Sequence, residues 1–202
     1  MTSGLPCRRP ERVAALLLAG LVLAAGLPFA VRAADWDIAA LMELLSRNPP
    51  GRATFNETRH LALLDRPLES SGELRFSPPR RLEKTTLAPG TERLVADGDV
   101  LTLERLGKRN TLSLRDHPEV AVFIDSVRGT LAGDRATLEK AFALSLDGET
   151  KRWTLVMRPL APAVAKLVSR IEVSGSFADI HRIEIHQADG DYSLMTIQRA
   201  SR

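Results

Sequence analysis

From Ala53 to Gln198 the apolar residues recur with a period of two, and turn residues cut the pattern into short pieces. No other feature restricts the possible folds as much. Leu101 and Leu103 alternate with Thr102 and Glu104, and Leu112 and Leu114 alternate with Thr111, Ser113 and Arg115. Successive strand side chains point to opposite faces, so each such piece has one dry face and one wet face. The interruptions are Asp65-Arg66-Pro67, Ser70-Ser71-Gly72, Ser77-Pro78-Pro79, Ala88-Pro89-Gly90, Asp97-Gly98-Asp99 and Gly107-Lys108. Asp147-Gly148 and Asp189-Gly190 follow as hairpin signals. The pattern predicts about six strands, a helical interruption and about five more strands. That many consecutive antiparallel strands favour a curled sheet or an open barrel.

Three helices are expected around and within this run. Asp35 is placed to cap a first helix in which Ile38, Leu41 and Leu44/Leu45 recur at helical spacing, ended by Asn48-Pro49-Pro50-Gly51. Asp116 and Glu119 have the spacing of a capping box. Val120, Phe123, Ile124, Val127 and Leu131 then form an apolar stripe that Gly133 terminates. Asp134 is a cap for a further short helix through Leu138 to Phe142, and Pro159 to Ala165 reads as a linker or helical turn. The expected class is mainly β with helices (α+β), an unclosed antiparallel β-barrel or curled sheet with a helical lid.

The N-terminus has the three parts of a secretory signal. Arg8, Arg9 and Arg12 form a basic region, Val13 to Leu27 an apolar run, and Val31-Arg32-Ala33-Ala34 a small-residue cleavage site. The run falls short of the roughly 20 residues that span a bilayer. Residues 1–33 are therefore expected to be a cleaved signal peptide and residues 34–202 a single domain in the periplasm. The signal carries an excess of three positive charges, equal to the +3 of the whole chain. The remainder is formally neutral, and nothing in it predicts a nucleic-acid partner. Cys7 lies within the signal, so the rest of the chain has no cysteine and must hold together by burial.

Catalytic signatures are missing from the sequence. It has no Gly-x-Ser-x-Gly elbow, no glycine-rich phosphate loop and no dinucleotide fingerprint. His60, His117, His181 and His186 do not have metal-ligand spacing, and the Asp-Gly-Asp triplets at 97–99 and 189–191 lack the further ligands of a calcium loop. No catalytic residue, metal or cofactor is expected, and the protein is not read as an enzyme.

An amphipathic helix laid on the dry side of one curled sheet leaves an apolar interior, which side chains or a ligand can fill. The expected lining is Leu74, Phe76, Leu94, Leu101, Leu103, Leu112 and Leu114 from strands, with Phe123, Ile124 and Val127 from the helix. An acyl chain in water costs about 0.8 kcal/mol per exposed methylene, so crossing an aqueous gap between membranes calls for such a shelter.

An ordered series of segments also carries a family resemblance. Ala53-Thr54-Phe55-Asn56-Glu57-Thr58 follows a helix; then come Gly72-Glu73-Leu74 with Phe76, Pro78 and Leu82-Glu83, and Leu94-Val95-Ala96-Asp97-Gly98-Asp99-Val100-Leu101. Together they resemble the LolA family of outer-membrane lipoprotein carriers, in its divergent LolA-like branch, over roughly residues 36–198. The resemblance implies an unclosed β-barrel lidded by helices, with a cavity for acyl chains. Its cargo would be an acyl lipid or a lipoprotein. The implied partners are an inner-membrane release complex or exporter and an outer-membrane receptor, and the expected state is a monomer. Where the family has an Arg-Pro pair whose arginine helps hold the lid, this chain has Ser77-Pro78, which leaves Arg75, Pro78 and Arg80 as lid or gating candidates. Leu101 or Leu103 stands where the family often has an aromatic, which suits a different lipid. The competing readings are a non-carrier accessory or interaction module of an envelope lipid-export system, and an envelope hydrolase.

Overall fold

Short strands joined by tight turns build a meander here because each turn returns the chain beside the strand it has just left. A computed structural model describes residues 36–200. The expected signal segment and Asp35 lie outside the described residues. Helix α1 (Ile38–Ser46) leads into β1 (Gly51–His60), β2 (Leu68–Ser77), β3 (Arg81–Ala88), β4 (Glu92–Asp97), β5 (Val100–Arg105) and β6 (Lys108–Ser113). Helices α2 (Pro118–Ala132) and α3 (Arg135–Ala141) follow, then β7 (Phe142–Glu149) and β8 (Arg152–Pro159). A single helical turn, α4 (Pro162–Ala165), precedes β9 (Val168–Ser176), β10 (Asp179–Gln187) and β11 (Tyr192–Arg199).

All eleven strands form one sheet, in the order β6-β5-β4-β3-β2-β1-β11-β10-β9-β8-β7. Every neighbouring pair is antiparallel. The chain builds outward from β1 to one edge at β6. It then crosses through α2 and α3 to the opposite edge at β7 and works back until β11 pairs with β1. The edges β6 and β7 do not pair, so the barrel is unclosed. The chain reaches β7 only through α2 and α3, so the crossover is what brings the helices over the sheet.

The pairing register sorts the two faces. On one face Ala53 stands between Leu74 and Arg199, Phe55 between Gly72 and Ile197, and Glu57 between Ser70 and Met195. The same face continues through Ile183, Val173 and Leu155 on one side and Leu82, Ala96 and Leu101 on the other. The opposite face carries ion pairs such as Arg93–Glu83 at 2.9 Å and Arg182–Glu184 at 2.8 Å, whose partners stay partly hydrated and add little stability.

Two apolar clusters share the inner face. The larger joins Leu41, Met42 and Leu45 of α1 and Leu138 of α3 to Trp153, Leu155, Met157, Ile171 and Val173. The smaller joins Ala96, Leu101 and Leu114 to Ile124, with Leu94, Leu112, Val120 and Ala121 against it. Helix α2 belongs to both, since Val122, Phe123 and Val127 pack against the larger cluster.

Several local expectations shift. The first helix is capped by Asp37, whose side chain accepts from the Ala40 N–H at 2.8 Å. Helix α2 has no capping box: His117 is its N-cap without a side-chain bond, and Pro118 follows. Gly133 does end α2, at φ 64°, and Asp134 does cap α3 through the Thr137 N–H. Ser70-Ser71-Gly72 is no turn but lies inside β2, at an irregularity in the pairing with β3. The Asp147-Gly148 hairpin turn is displaced to Thr150-Lys151, and both residues belong to β7. Trp153 lies opposite Gly148 in this hairpin. Gly148 and Gly175 are its partners on either side, and a Cβ on Gly175 would come within 2.5 Å of the indole. Gly175 makes room for the ring, whereas Gly148 sits at φ 92°, and a Cβ there would clash with the Arg152 carbonyl oxygen.

Candidate functional site

Space is left between the two clusters, beneath α2, which packs on the smaller with Val120, Ala121 and Ile124 and on the larger with Val122, Phe123 and Val127. The space is a cavity of about 280 Å³. Its roof is Phe123, Ile124, Val127 and Leu131 of α2. One wall is Ala53, Leu74, Phe76, Leu82, Leu94 and Ala96, and the other is Ile180, Ile183, Ile185, Met195 and Ile197. Asn48, Arg52, Arg75, Asp179 and Arg199 bound it with polar groups, Arg199 and Asp179 pairing at 2.7 Å with both side chains nearly half exposed.

Of the residues read from sequence as lining, Leu74, Phe76, Leu94, Phe123, Ile124 and Val127 meet at this cavity. Leu101, Leu112 and Leu114 lie on the same face but belong to the packing under the N-terminal half of α2. Leu103 stands opposite Leu94, half-buried and outside the cavity wall. The helix fills the space over β5 and β6 with Val120, Ala121 and Ile124, which is why these leucines are core. The wall from β10 and β11 was not foreseen. Ile183/Ile185 and Met195/Ile197 do show the period of two, but only the pairing of β11 with β1 puts them beside Leu74.

The lid candidates separate as well. Pro78 is exposed in the turn between β2 and β3. Arg75 is exposed at the cavity boundary. Arg80 leaves the cavity altogether and pairs with Asp99 at 2.7 Å on the outer side of the β4–β5 turn. The arginine that ties the roof to the sheet is Arg128 of α2, which sequence reasoning missed. It is 7% exposed, and its Nη1 donates to the Gly98 carbonyl at 2.8 Å. Its Nε and Nη2 are buried without a hydrogen-bond partner among the described residues. Burial pulls the Arg128 guanidinium below its ordinary value, against the nearby Asp125 carboxylate. Burial in turn pushes Asp125 up, opposed by Arg128. The sequence signal was available: a basic residue four positions from Ile124 falls on the buried side of the helix.

One polar group sits within the apolar lining. Glu57 is 7% exposed. Its Oε2 accepts from Lys84 Nζ at 2.5 Å and from Ser70 Oγ at 3.3 Å, and its Oε1 accepts from Ser193 Oγ at 2.7 Å. Arg59 Nη2 stands 3.5 Å from Oε1. Burial pushes this carboxyl up, but Lys84, Ser193 and Arg59 together hold it below its ordinary value. The Lys84 ammonium also lies 4.8 Å from the centre of the Phe55 ring. Among the described residues there is no His/Cys/Asp/Glu group arranged to hold a metal.

A family model described as outer membrane lipoprotein carrier protein LolA-like matches residues 30–202. No curated protein sequence matches significantly. Among solved structures, a LolA superfamily protein from Nitrosomonas europaea is similar at 9% identity and a TM-score of 0.42, covering 83% of this chain and 95% of that one. A domain of a putative outer membrane lipoprotein-sorting protein from Vibrio parahaemolyticus gives 10% identity and a TM-score of 0.42, covering 81% and 91%. The MucA/MucB complex of Pseudomonas aeruginosa gives 15% and 0.46; there the alignment covers 81% of this chain and 56% of the other.

Proposed function

The chain belongs to the LolA-like family of outer membrane lipoprotein carrier proteins, and on that premise we propose that it is a periplasmic carrier that shields an acyl chain while a lipid or lipoprotein moves from the inner to the outer membrane. The observation that carries this reading is the roofed apolar cavity. Its walls are mainly apolar and it lies under a helix rather than being filled by it. Moving a methylene from water into such a lining gains about 0.8 kcal/mol, so a chain of a dozen carbons gains on the order of 10 kcal/mol. That gain is enough to hold cargo in an aqueous gap, yet it is non-directional and can be handed on to another apolar surface. In this reading residues 1–33 direct export, and residues 34–202 are the lipid-binding domain. The hand-over partners are an inner-membrane release complex or exporter and an outer-membrane receptor. Arg128 to Gly98 ties the roof to the β4–β5 turn, and the apolar residues of α2 pack on both clusters, so loading cargo beneath the helix has to displace these contacts.

Native mass spectrometry of the protein, purified gently from the envelope of its own host, tests the proposal. Bound acyl lipid or lipopeptide is the expected result, and the added mass separates lipoprotein from other lipid cargo. A bare protein mass that takes up no added lipid overturns the carrier reading and moves the function to an accessory module of lipid export.

A further inference from the structure

Stability does not account for the Glu57–Lys84 pair. Replacing a buried ion pair by apolar side chains of similar volume is often neutral or stabilising, because both charges must be stripped of water. Yet here the pair interrupts a largely apolar wall, and three residues of three different strands converge to maintain it: Glu57 of β1, Lys84 of β3 and Ser193 of β11. All three line the cavity.

The charges do not balance. One carboxylate faces two cations, Lys84 and Arg59. Both Glu57 oxygens are already engaged, by Lys84 and Ser70 on one side and by Ser193 and Arg59 on the other. Glu57 therefore has little left to offer a ligand. Lys84 does: an ammonium has three N–H donors, and Glu57 engages one. The excess is positive and donor-rich, so it suits an acceptor, anionic or carbonyl, and rejects a cation. Its position suits the end of a chain. Ala53 and Glu57 share the inner face of β1 and are four residues apart, about 13 Å along the strand. Between them on that face is buried Phe55, with Leu74, Met195 and Ile197 of the neighbouring strands lining the cavity beside it, and half-exposed Arg59 brings the polar end within one strand step of solvent. The volume of about 280 Å³ is near the lower limit of roughly 300 Å³ for small-molecule sites, which is room for one chain rather than several.

We propose that Lys84, positioned by Glu57, receives the acyl carbonyl or carboxylate of a single-chain fatty acyl ligand whose tail occupies the aliphatic part of the cavity. This rests on the carrier reading and narrows it to a ligand class. The shared chemistry is an oxygen acceptor at the head of one unbranched chain. A free fatty acid and an esterified acyl chain both supply it.

The test is displacement of the neutral apolar dye Nile red from the purified full-length protein by hexadecanoate, by methyl hexadecanoate and by hexadecyltrimethylammonium. The cationic amphiphile is expected to be the weakest of the three. Hexadecanoate well above the methyl ester assigns the free acid, and equal affinity assigns the esterified chain. Lys84→Met is expected to weaken the oxygen-headed ligands about tenfold or more relative to Nile red in the same variant, the value of one charge-assisted hydrogen bond. Glu57→Gln/Lys84→Met leaves no unpaired buried charge and is expected to show the same loss with an unchanged circular dichroism spectrum. If both variants bind hexadecanoate like the wild type, the head-group assignment is wrong and the carrier reading stands. If Nile red and all three lipids fail to bind the wild type, both are wrong.

Discussion

The two ends of the sheet are built from the same kind of strand, yet they are finished differently. At the β7–β9 end Trp153, Leu155, Met157, Ile171 and Val173 are at most 1% exposed. Two helices with side-chain caps close over them, α1 through Asp37 and α3 through Asp134. At the β2–β5 end one helix without a side-chain cap spans the gap, and beneath it Leu74 and Leu94 are only half-buried, although Phe76 and Leu101 are buried. The difference shows where the fold keeps its stability and where it keeps its room. Close packing forfeits free energy for every void it leaves. A domain that must hold a cavity does best to concentrate dense packing elsewhere.

The sharpest attempt to break this comparison is Trp153→Ala, which removes the ring seated between Gly148 and Gly175. The expected loss is about 3–5 kcal/mol in urea unfolding. A loss no larger than that of a cavity-wall residue would mean the two ends are not distinct. A matched pair comes next. Leu155→Ala at the dense end is expected to cost about 2–5 kcal/mol, whereas Leu94→Ala on the cavity wall is expected to cost under about 1.5 kcal/mol, because its side chain already borders empty space.

Saturating lipid offers a way to sharpen the contrast. At a hundredfold excess over Kd it is expected to add about 2.7 kcal/mol to global stability. The earliest gains in amide-exchange protection should appear in β2–β4 and α2, and protection spread evenly over β7–β9 would place the ligand elsewhere. A cap exchange tests the helices themselves. Asp37→Ala is expected to cost about 1 kcal/mol, while His117→Ala leaves stability within about 0.5 kcal/mol, and His117→Asp should stiffen α2. Acid gives the subtlest signal. Glu57 is held below its ordinary value, so its contribution is fully present above the usual carboxylate value near 4.3 and is lost as the pH falls through its lower folded value. Glu57→Gln should flatten that part of the acid unfolding curve.

Much of the fold was legible in the residues. The alternation of Leu101, Leu103, Leu112 and Leu114 placed β5 and β6 and their dry face, and the stripe from Val120 to Leu131 placed α2 over it. Six strands before the crossover and about five after it matched the observed order. Turn residues misled where they served another purpose, as at Asp147-Gly148, whose glycine lies opposite Trp153. The candidate site was half legible. Leu74, Phe76, Leu94, Phe123, Ile124 and Val127 are near one another in the meander or on the helix that crosses it. The wall from β10 and β11, the Glu57–Lys84–Ser193 contact and the Arg128 tie were not, since each joins positions far apart in the chain.

By itself, then, the sequence determined what depends on local period, namely strand faces, the helical stripe and the order of the elements, together with the family, while turn and cap chemistry was read correctly only in part. Only the tertiary structure decided which leucines are core and which are wall, that a buried ion pair stands among them, and which arginine holds the roof. The physical reason is that period two assigns a side chain to a face, but the pairing of β11 with β1 and the packing of α2 decide what lies across from it. Those are long-range contacts, selected by the summed packing of the whole sheet rather than by any one segment.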